Sequence, residues 1–210
     1  MVDKKRKDVL AQEHNSQDQI NRTGTKNCSR CEIYYSELIA SQEQLKLSEN
    51  IFMIVELLSG WSLNDPSALQ HIFDLALESI GKVLRVSNGT ISVKLDRETQ
   101  ELVVKSTIGI NKQHEHLNSR FKTDEGLRGH VFTTGEPLII PDAHIDTRCR
   151  VKILEIRSRL LVPIKTGGGT VGVISLDSPD INYFSLRHIL WLQVVAVILG
   201  RAIERMEQKD

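Results

Sequence analysis

The spacing of apolar residues predicts most of the secondary structure in the last two thirds of the chain. Residues 66–85 repeat apolar side chains at a period near 3.6, which predicts a helix with one buried face. Residues 91–95 alternate between apolar and polar, and residues 101–108 return after a polar turn, so the two predict a hairpin. Residues 184–205 present a broad apolar face after Ser185, a good N-cap, and predict a closing helix.

The segment between these elements begins with a short helix and a short strand. Residues 126–132 favour a helix that must end at Gly135, because glycine readily adopts the left-handed conformation that stops a helix. Residues 137–141 form a brief apolar run between two prolines, which is typical of a short strand at a sheet edge.

A polar loop and a second hairpin complete the segment. Residues 142–150 are polar and irregular, whereas residues 160–165 and 171–177 are two apolar runs. The Thr-Gly-Gly-Gly-Thr sequence between these runs, residues 166–170, predicts a hairpin with a glycine turn. A sheet with one face partly covered by loops follows from this order of elements.

Twenty residues between Gly126 and Ser178 form a recognisable pattern along these elements. They are Gly126, Gly129, Val131, Thr134, Gly135, Glu136, Pro137, Asp142, Asp146, Arg148, Ser158, Leu160, Val162, Pro163, Ile164, Gly172, Val173, Ile174, Leu176 and Ser178. Together they resemble the GAF domain, a family of small-molecule and light-sensing modules of signalling proteins. The resemblance implies an α+β fold over residues 65–206: a six-stranded antiparallel sheet of the PAS/GAF type, with terminal helices on one face and a loop-covered pocket on the other.

The N-terminal part of the chain differs in composition. Residues 1–30 are polar and predict a disordered tail, which ends in the pair Cys28 and Cys31. This spacing suits two ligands of one zinc ion, but a structural zinc needs four, so the second pair would come from another copy of the chain. The alternative is two exposed cysteines ahead of a helix.

Residues 31–60 predict one long helix without glycine or proline over most of its length. Leu38, Leu45 and Phe52 recur every seven residues, as in a coiled-coil seam that joins two copies of a chain in parallel. The alternative is a helix that packs on its own domain, and the two arrangements are compatible if each involves a different half of the helix.

The charge balance and the cysteine content limit the classes of binding partner and the cellular compartment that we expect. The chain has 27 basic and 27 acidic residues, which gives no electrostatic signature for nucleic acid or for acidic membranes. Its longest apolar stretch, residues 189–200, is shorter than a bilayer requires, and no secretory signal is recognisable. Three cysteines indicate a reducing compartment, so we expect a cytoplasmic protein.

The polar loop and the strand after it carry the candidate ligand-binding residues, which are His144, Arg148, Cys149, Arg157, Ser158 and Arg159. Strand alternation places Arg157 and Arg159 on one side and Ser158 on the other. If that side faces the loop, a small anionic ligand is favoured because a guanidinium pairs well with carboxylate or phosphate.

Cys149 has two possible functional roles that the family resemblance suggests. Some members attach a bilin chromophore through a pocket cysteine that histidine usually follows, but here Arg150 follows. Other members reduce free methionine sulfoxide with several pocket cysteines, and this chain has one in the domain. A small buried thiol that fills space is therefore the favoured interpretation.

Three functions remain open. The favoured one is a non-enzymatic, dimeric sensor that binds a small molecule and acts on a separate output protein. The second is a redox sensor or a reductase resembling the methionine-sulfoxide enzymes, and the third is a dimerisation scaffold with a vestigial pocket. The sequence identifies no cofactor.

Overall fold

The structure is a computed structural model that describes residue 41 and residues 66–94, 98–109, 117–149 and 153–207. The predicted polar tail, the cysteine pair and the long helix lie outside the described residues. From Pro66 onward the described residues form the helices and strands of the domain.

In the described part of the chain three helices and six strands follow one another. The helices are α1 (Pro66–Leu84), α2 (Gly126–Thr134) and α3 (Leu186–Glu207), and the strands are β1 (Asn88–Val93), β2 (Glu101–Ile108), β3 (Arg120–Lys122), β4 (Leu138–Ile140), β5 (Ser158–Thr166) and β6 (Gly169–Ser178). The strands form one sheet in the order β3-β2-β1-β6-β5-β4, and every neighbouring pair is antiparallel.

The two faces of the sheet carry different layers. On β5, Leu160, Val162 and Ile164 are buried in an apolar core with α1 and α3, which we call the helix side. Leu161 points the other way and joins a smaller core with α2 and the following loop, which we call the loop side. This alternation follows from the period of two along a strand, and it separates the stabilising helical layer from the face that loops cover.

The prediction of a six-stranded antiparallel sheet with terminal helices on one face is confirmed. The hairpin turn is shorter than predicted, because β5 and β6 pair as far as Thr166 and Gly169. The prediction also placed no strand at β3, since three residues with one apolar side chain give little periodic signal.

The first strand begins earlier than its alternation indicates. Asn88 and Gly89 precede the alternating residues 91–95, yet both belong to β1 and pair with Asp177 and Leu176 of β6. A side chain at position 89 would stand 2.8 Å from a methyl carbon of Leu176. Gly89 therefore serves the close approach of two strands instead of a turn.

Helix α3 extends beyond both ends of the apolar stretch at residues 189–200. Residues Leu186–Met206 are long and apolar enough to cross a membrane by length and composition alone. The same test is passed by core helices of soluble proteins, and 44% of the apolar window is buried inside this fold. The buried side of α3 includes Trp191, Leu192, Val195 and Leu199, which pack in the helix-side core.

Gly135 ends α2 in the left-handed conformation, with φ of 66°, and its N–H donates to the carbonyl of Val131. We expect Gly135→Ala to lower the free energy of unfolding by about 1–2 kcal/mol, because a Cβ atom is strained at this φ. The matched control is Gly168→Ala in the β5–β6 turn, where a Cβ would meet only Thr166 Oγ1 at 3.8 Å. Urea denaturation of both variants makes the comparison, and equal losses would contradict this role of Gly135.

Candidate functional site

Polar side chains cross the middle of the loop side, where an ordinary core would be apolar. Thr90 and Ser92 of β1 and Ser175 and Asp177 of β6 are at most 2% exposed. Thr107 of β2 pairs with Thr90, and Thr90 also pairs with Ser175, so these residues are cross-strand neighbours on one face. We call these five residues and Arg159 of β5 the polar strip.

The charged end of the polar strip is an ion pair between neighbouring strands. Arg159 pairs with Asp177 in the β5–β6 register, and its Nε lies 3.2 Å from Asp177 Oδ1. The two side chains are 15% and 3% exposed. A carboxylate this deeply buried requires a cationic or hydrogen-bonding partner, and Arg159 supplies it.

A second guanidinium reaches the strip from helix α2. Arg128 donates from Nη2 to Thr90 Oγ1 at 3.0 Å, and its Cζ lies 4.6 Å from the centre of the Phe121 ring. The attraction between the guanidinium and the aromatic face helps to hold the planar group above the strip. The buried hydroxyls of Ser92 and Thr107 have no hydrogen-bond partner. Two arginines and two unpartnered hydroxyls therefore meet on one face.

A third arginine braces the loop that follows β4. Arg157 donates to both carboxylate oxygens of Asp142, from Nε at 3.2 Å and from Nη2 at 2.7 Å. Asp142 also accepts the backbone N–H of His144 at 3.0 Å. These donors stabilise the carboxylate form, and the Arg157 hydrogen bond is the main reason that the pKa of Asp142 falls to about 2.

Comparison with known proteins identifies the fold's family. The family model described as GAF domain matches residues 68–203, which is more than half of the chain.

The chain belongs to the GAF domain family. Dual 3',5'-cyclic-AMP and -GMP phosphodiesterase 11 of Drosophila melanogaster is 28% identical over an alignment of 159 residues, which covers 73% of this chain and 11% of the phosphodiesterase. The chain therefore spans about a tenth of the length of that relative.

Solved GAF structures share the fold at low sequence identity. The GAF domain of the Acinetobacter phosphoenolpyruvate-protein phosphotransferase has a TM-score of 0.66 and 20% identity, covering 80% of this chain and 96% of that one. Free methionine-R-sulfoxide reductase of Neisseria meningitidis, solved with its substrate, has a TM-score of 0.65 and 17% identity, covering 81% and 93%. At such identities the likeness establishes the architecture alone.

Within this GAF domain the predicted site residues serve several different purposes. Arg159 belongs to the polar strip, whereas Arg157 braces the loop through Asp142. Arg148 binds both oxygens of Asp146, at 3.0 and 2.6 Å, with half of its side chain exposed. His144 Nε2 lies 3.1 Å from the carbonyl oxygen of Ile153.

The other two predicted residues lie apart from the polar strip. Ser158 is fully buried at the start of β5 and donates from Oγ to the carbonyl of Asp180 at 2.7 Å, which is a structural contact. Cys149 is 5% exposed and packs in the loop-side core of the GAF domain, as expected for a thiol that fills space. Among the described residues, no group of three or more His, Cys, Asp or Glu side chains could hold a metal ion.

Sequence reasoning missed Arg128 and the hydroxyl residues of the strip. The available signal was small polar residues at alternate positions of strongly apolar strands, Thr90 with Ser92 and Ser175 with Asp177. A strand face that is buried and yet carries hydroxyls indicates a site, because burying an unpartnered hydroxyl costs about 1–3 kcal/mol.

An open cleft of about 660 Å³ lies elsewhere in the GAF domain, between the end of α2 and the β5–β6 hairpin. Lys165, Asp124 and several threonines line it. Asp124 and Lys165 are exposed, in contrast to the ion pair of the polar strip. The polar strip is therefore the stronger candidate. Burying its charges costs stability, and a ligand-binding role would explain why they are there.

The Asp142–Arg157 pair makes stability depend on acidic pH. Because the native pKa lies below the ordinary value of 3.8, its contribution is present above about pH 4 and disappears as pH falls towards 2. We expect Asp142→Asn to be less stable than the wild type at pH 6, with a difference that shrinks between pH 4 and pH 2. Thermal unfolding across this range measures it, with exposed Asp124→Asn as control. A difference that stays constant with pH would contradict the assignment.

Proposed function

We propose that this chain is a non-enzymatic regulatory GAF module that binds a small anionic molecule at the polar strip and passes the change to a separate protein. One observation carries the proposal: Arg128 contacts Thr90 of the polar strip while Arg159 pairs with Asp177, so the strip and Arg128 together carry one net positive charge among buried hydroxyls. A regulatory role agrees with membership of the GAF family.

The chemistry of the strip favours a carboxylate or phosphate group in the ligand. The hydrogen bond from Arg128 to Thr90 is made to a neutral hydroxyl, and an anionic oxygen would accept the same donor more strongly. Ser92 and Thr107 have hydroxyls without partners, which suits the orientation of a polar ligand. The Drosophila relative is a cyclic-nucleotide phosphodiesterase by name, so nucleotides belong among the anions to be tested.

Signal transmission would occur as a shift between two populations of the domain. A ligand that draws Arg128 away from Thr90 changes the position of α2, whose Leu127 and Val131 pack in the loop-side core. The Asp142 and Asp146 pairs hold the neighbouring loop in one arrangement. A ligand that binds one arrangement more tightly raises its population, and the output protein would respond to that arrangement.

Arg128→Gln tests the proposal with a variant that keeps a polar side chain and removes the charge. A thermal-shift screen of acidic metabolites, nucleotides and neutral analogues first identifies compounds that stabilise the wild type. We expect the variant to bind the stabilising anion about ten- to a hundredfold more weakly, since a charge-assisted hydrogen bond contributes roughly 1.5–3 kcal/mol. Calorimetric titration measures this loss.

The matched control is Arg148→Gln, because Arg148 is half exposed and is paired locally with Asp146. It should bind the anion as the wild type does. Stabilisation by neutral or apolar compounds alone, or equal losses in the two variants, would contradict the proposal.

A redox role for Cys149 is the second candidate, because two structural neighbours are methionine-sulfoxide reductases by name. The burial of Cys149 weakens this candidate, since a reactive cysteine must be accessible to its substrate. Reduction of free methionine sulfoxide by the wild type, abolished by Cys149→Ala, would favour this candidate over the sensor.

We propose that the module is a cytoplasmic homodimer joined by the predicted long helix. Leu38, Leu45 and Phe52 are its seam positions. Leu45→Glu with Phe52→Glu should give monomers, because the change buries charge in the seam. Analytical ultracentrifugation at tens of micromolar, where moderately stable dimers persist, measures the mass. A monomeric wild type would contradict the proposal and also the scaffold alternative.

A further inference from the structure

Strand β2 contains one residue more than its neighbour β1 where the two strands cross the polar strip. Ser92 pairs with Val104 and Ile91 pairs with Ser106, so Lys105 has no partner among the residues of β1. Such an extra residue is a β-bulge, which interrupts the regular alternation of side chains between the two faces of a sheet. Bulges are common beside functional sites, where they turn a side chain to a new face.

The bulge decides which hydroxyl of β2 joins the polar strip. Leu102 packs in the loop-side core, so regular alternation would place Ser106 on that side and Thr107 on the helix side. After the extra residue, Thr107 instead pairs with Thr90 on the loop side. Ile108 correspondingly packs against the helix-side core. The Thr107 hydroxyl therefore reaches the strip because of the bulge.

A side chain of helix α1 holds the bulge from the helix side. Gln70 donates from its side-chain amide to the carbonyl of Lys105, the residue without a partner in β1. The same amide nitrogen lies 3.3 and 3.2 Å from the two carboxylate oxygens of Asp74, one helical turn later. A carboxylate accepts hydrogen bonds and cannot donate them. Asp74 therefore favours the orientation in which the amide nitrogen of Gln70, and not its oxygen, faces the bulge.

The residue that the bulge directs lies at the centre of the proposed site. Thr107 stands opposite Thr90, whose Oγ1 accepts the hydrogen bond from Arg128. Directly opposed residues are the closest cross-strand neighbours in a sheet, so an anion that engages Arg128 lies beside the Thr107 hydroxyl. The bulge also falls between the partners of Thr90 and Ser92, two residues of the strip, on a strand inside the sheet. Its location is that of a device which shapes the strip.

We propose that Gln70 is a positioning residue of the polar strip: it fixes the bulge at Lys105 and thereby directs the Thr107 hydroxyl towards a bound anion. The inference rests on the proposed function, because it assigns Thr107 to the contact with the anion. Gln70 itself lies on the opposite face of the sheet. A change on the helix side then alters binding on the loop side.

Two substitutions at position 70 separate the hydrogen-bond donor from the size of the side chain. Gln70→Met keeps the length and removes the donor, whereas Gln70→Lys keeps a donor and can still contact Asp74. Calorimetric titration measures binding of inorganic phosphate and of the anion that stabilises the wild type most in the thermal-shift screen. We expect Gln70→Met to bind about three- to tenfold more weakly, as for the loss of one ordinary hydrogen bond. Gln70→Lys should bind nearly as the wild type does.

A double-mutant cycle shows whether Gln70 acts through Thr107. Thr107→Val removes the hydroxyl and keeps the branched shape. If Gln70 acts by directing that hydroxyl, Gln70→Met should cause no further loss of affinity in the Thr107→Val background. The matched control, Gln193→Met on the exposed side of α3, should change binding in neither background. Additive losses from Gln70→Met and Thr107→Val would overturn the proposal, because Gln70 would then act through the stability of the whole domain.

A measurement without any anion separates this inference from the proposed function. Hydrogen exchange of the Ser106 and Thr107 backbone amides should be faster in Gln70→Met than in the wild type or Gln70→Lys, because the bulge has lost its contact with α1. A wild type that binds no anion would overturn the proposed function and this inference together. Unchanged exchange and unchanged anion affinity in Gln70→Met, beside a wild type that binds the anion, would overturn this inference alone.

Discussion

The buried pair of Arg159 and Asp177 is the constraint around which the loop side of this GAF domain is arranged. Asp177 stands on a central strand with 3% of its side chain exposed, 3.2 Å from the Arg159 guanidinium. Replacing such a pair with apolar residues is often neutral or stabilising, so stability alone gives little reason to keep it. In the function we propose, the pair instead holds the Arg159 guanidinium beside the buried hydroxyls, where an anionic ligand would bind.

The two faces of the sheet differ in role. The helix side stabilises the fold, and the loop side carries the proposed binding site. On the helix side, Leu160, Ile174 and Leu176 pack against α1 and α3 in the larger core, which holds the strands in register. That support permits the loop side to place Thr90, Ser92 and Ser175 where apolar residues would otherwise lie. The loop beside them is held by short local pairs, Arg157 with Asp142 and Arg148 with Asp146. A rigid sheet beneath a loop that can change its arrangement suits a sensor.

The periodic spacing of apolar residues predicted the features of the fold that depend on local sequence. The limits of α1 and β2, and the end of α2 at Gly135, follow from apolar spacing and from glycine's left-handed conformation. What escaped prediction depends on pairing between distant residues. Gly89 is explained only by Leu176 across the sheet, and Arg128 becomes a site residue only because α2 lies above Thr90. The arginines of the polar loop and of the strand after it look alike in the sequence, and only their partners distinguish Arg159 from Arg148.

The most direct test replaces the buried pair with an apolar one and measures stability and binding in the same protein. Arg159→Met with Asp177→Leu should unfold at the same free energy as the wild type or up to about 1–4 kcal/mol above it. It should also lose the thermal shift that an anionic compound produces in the wild type. A double variant that is clearly less stable and still responds to the anion would contradict the account, because the pair would then serve the fold and the ligand would bind elsewhere.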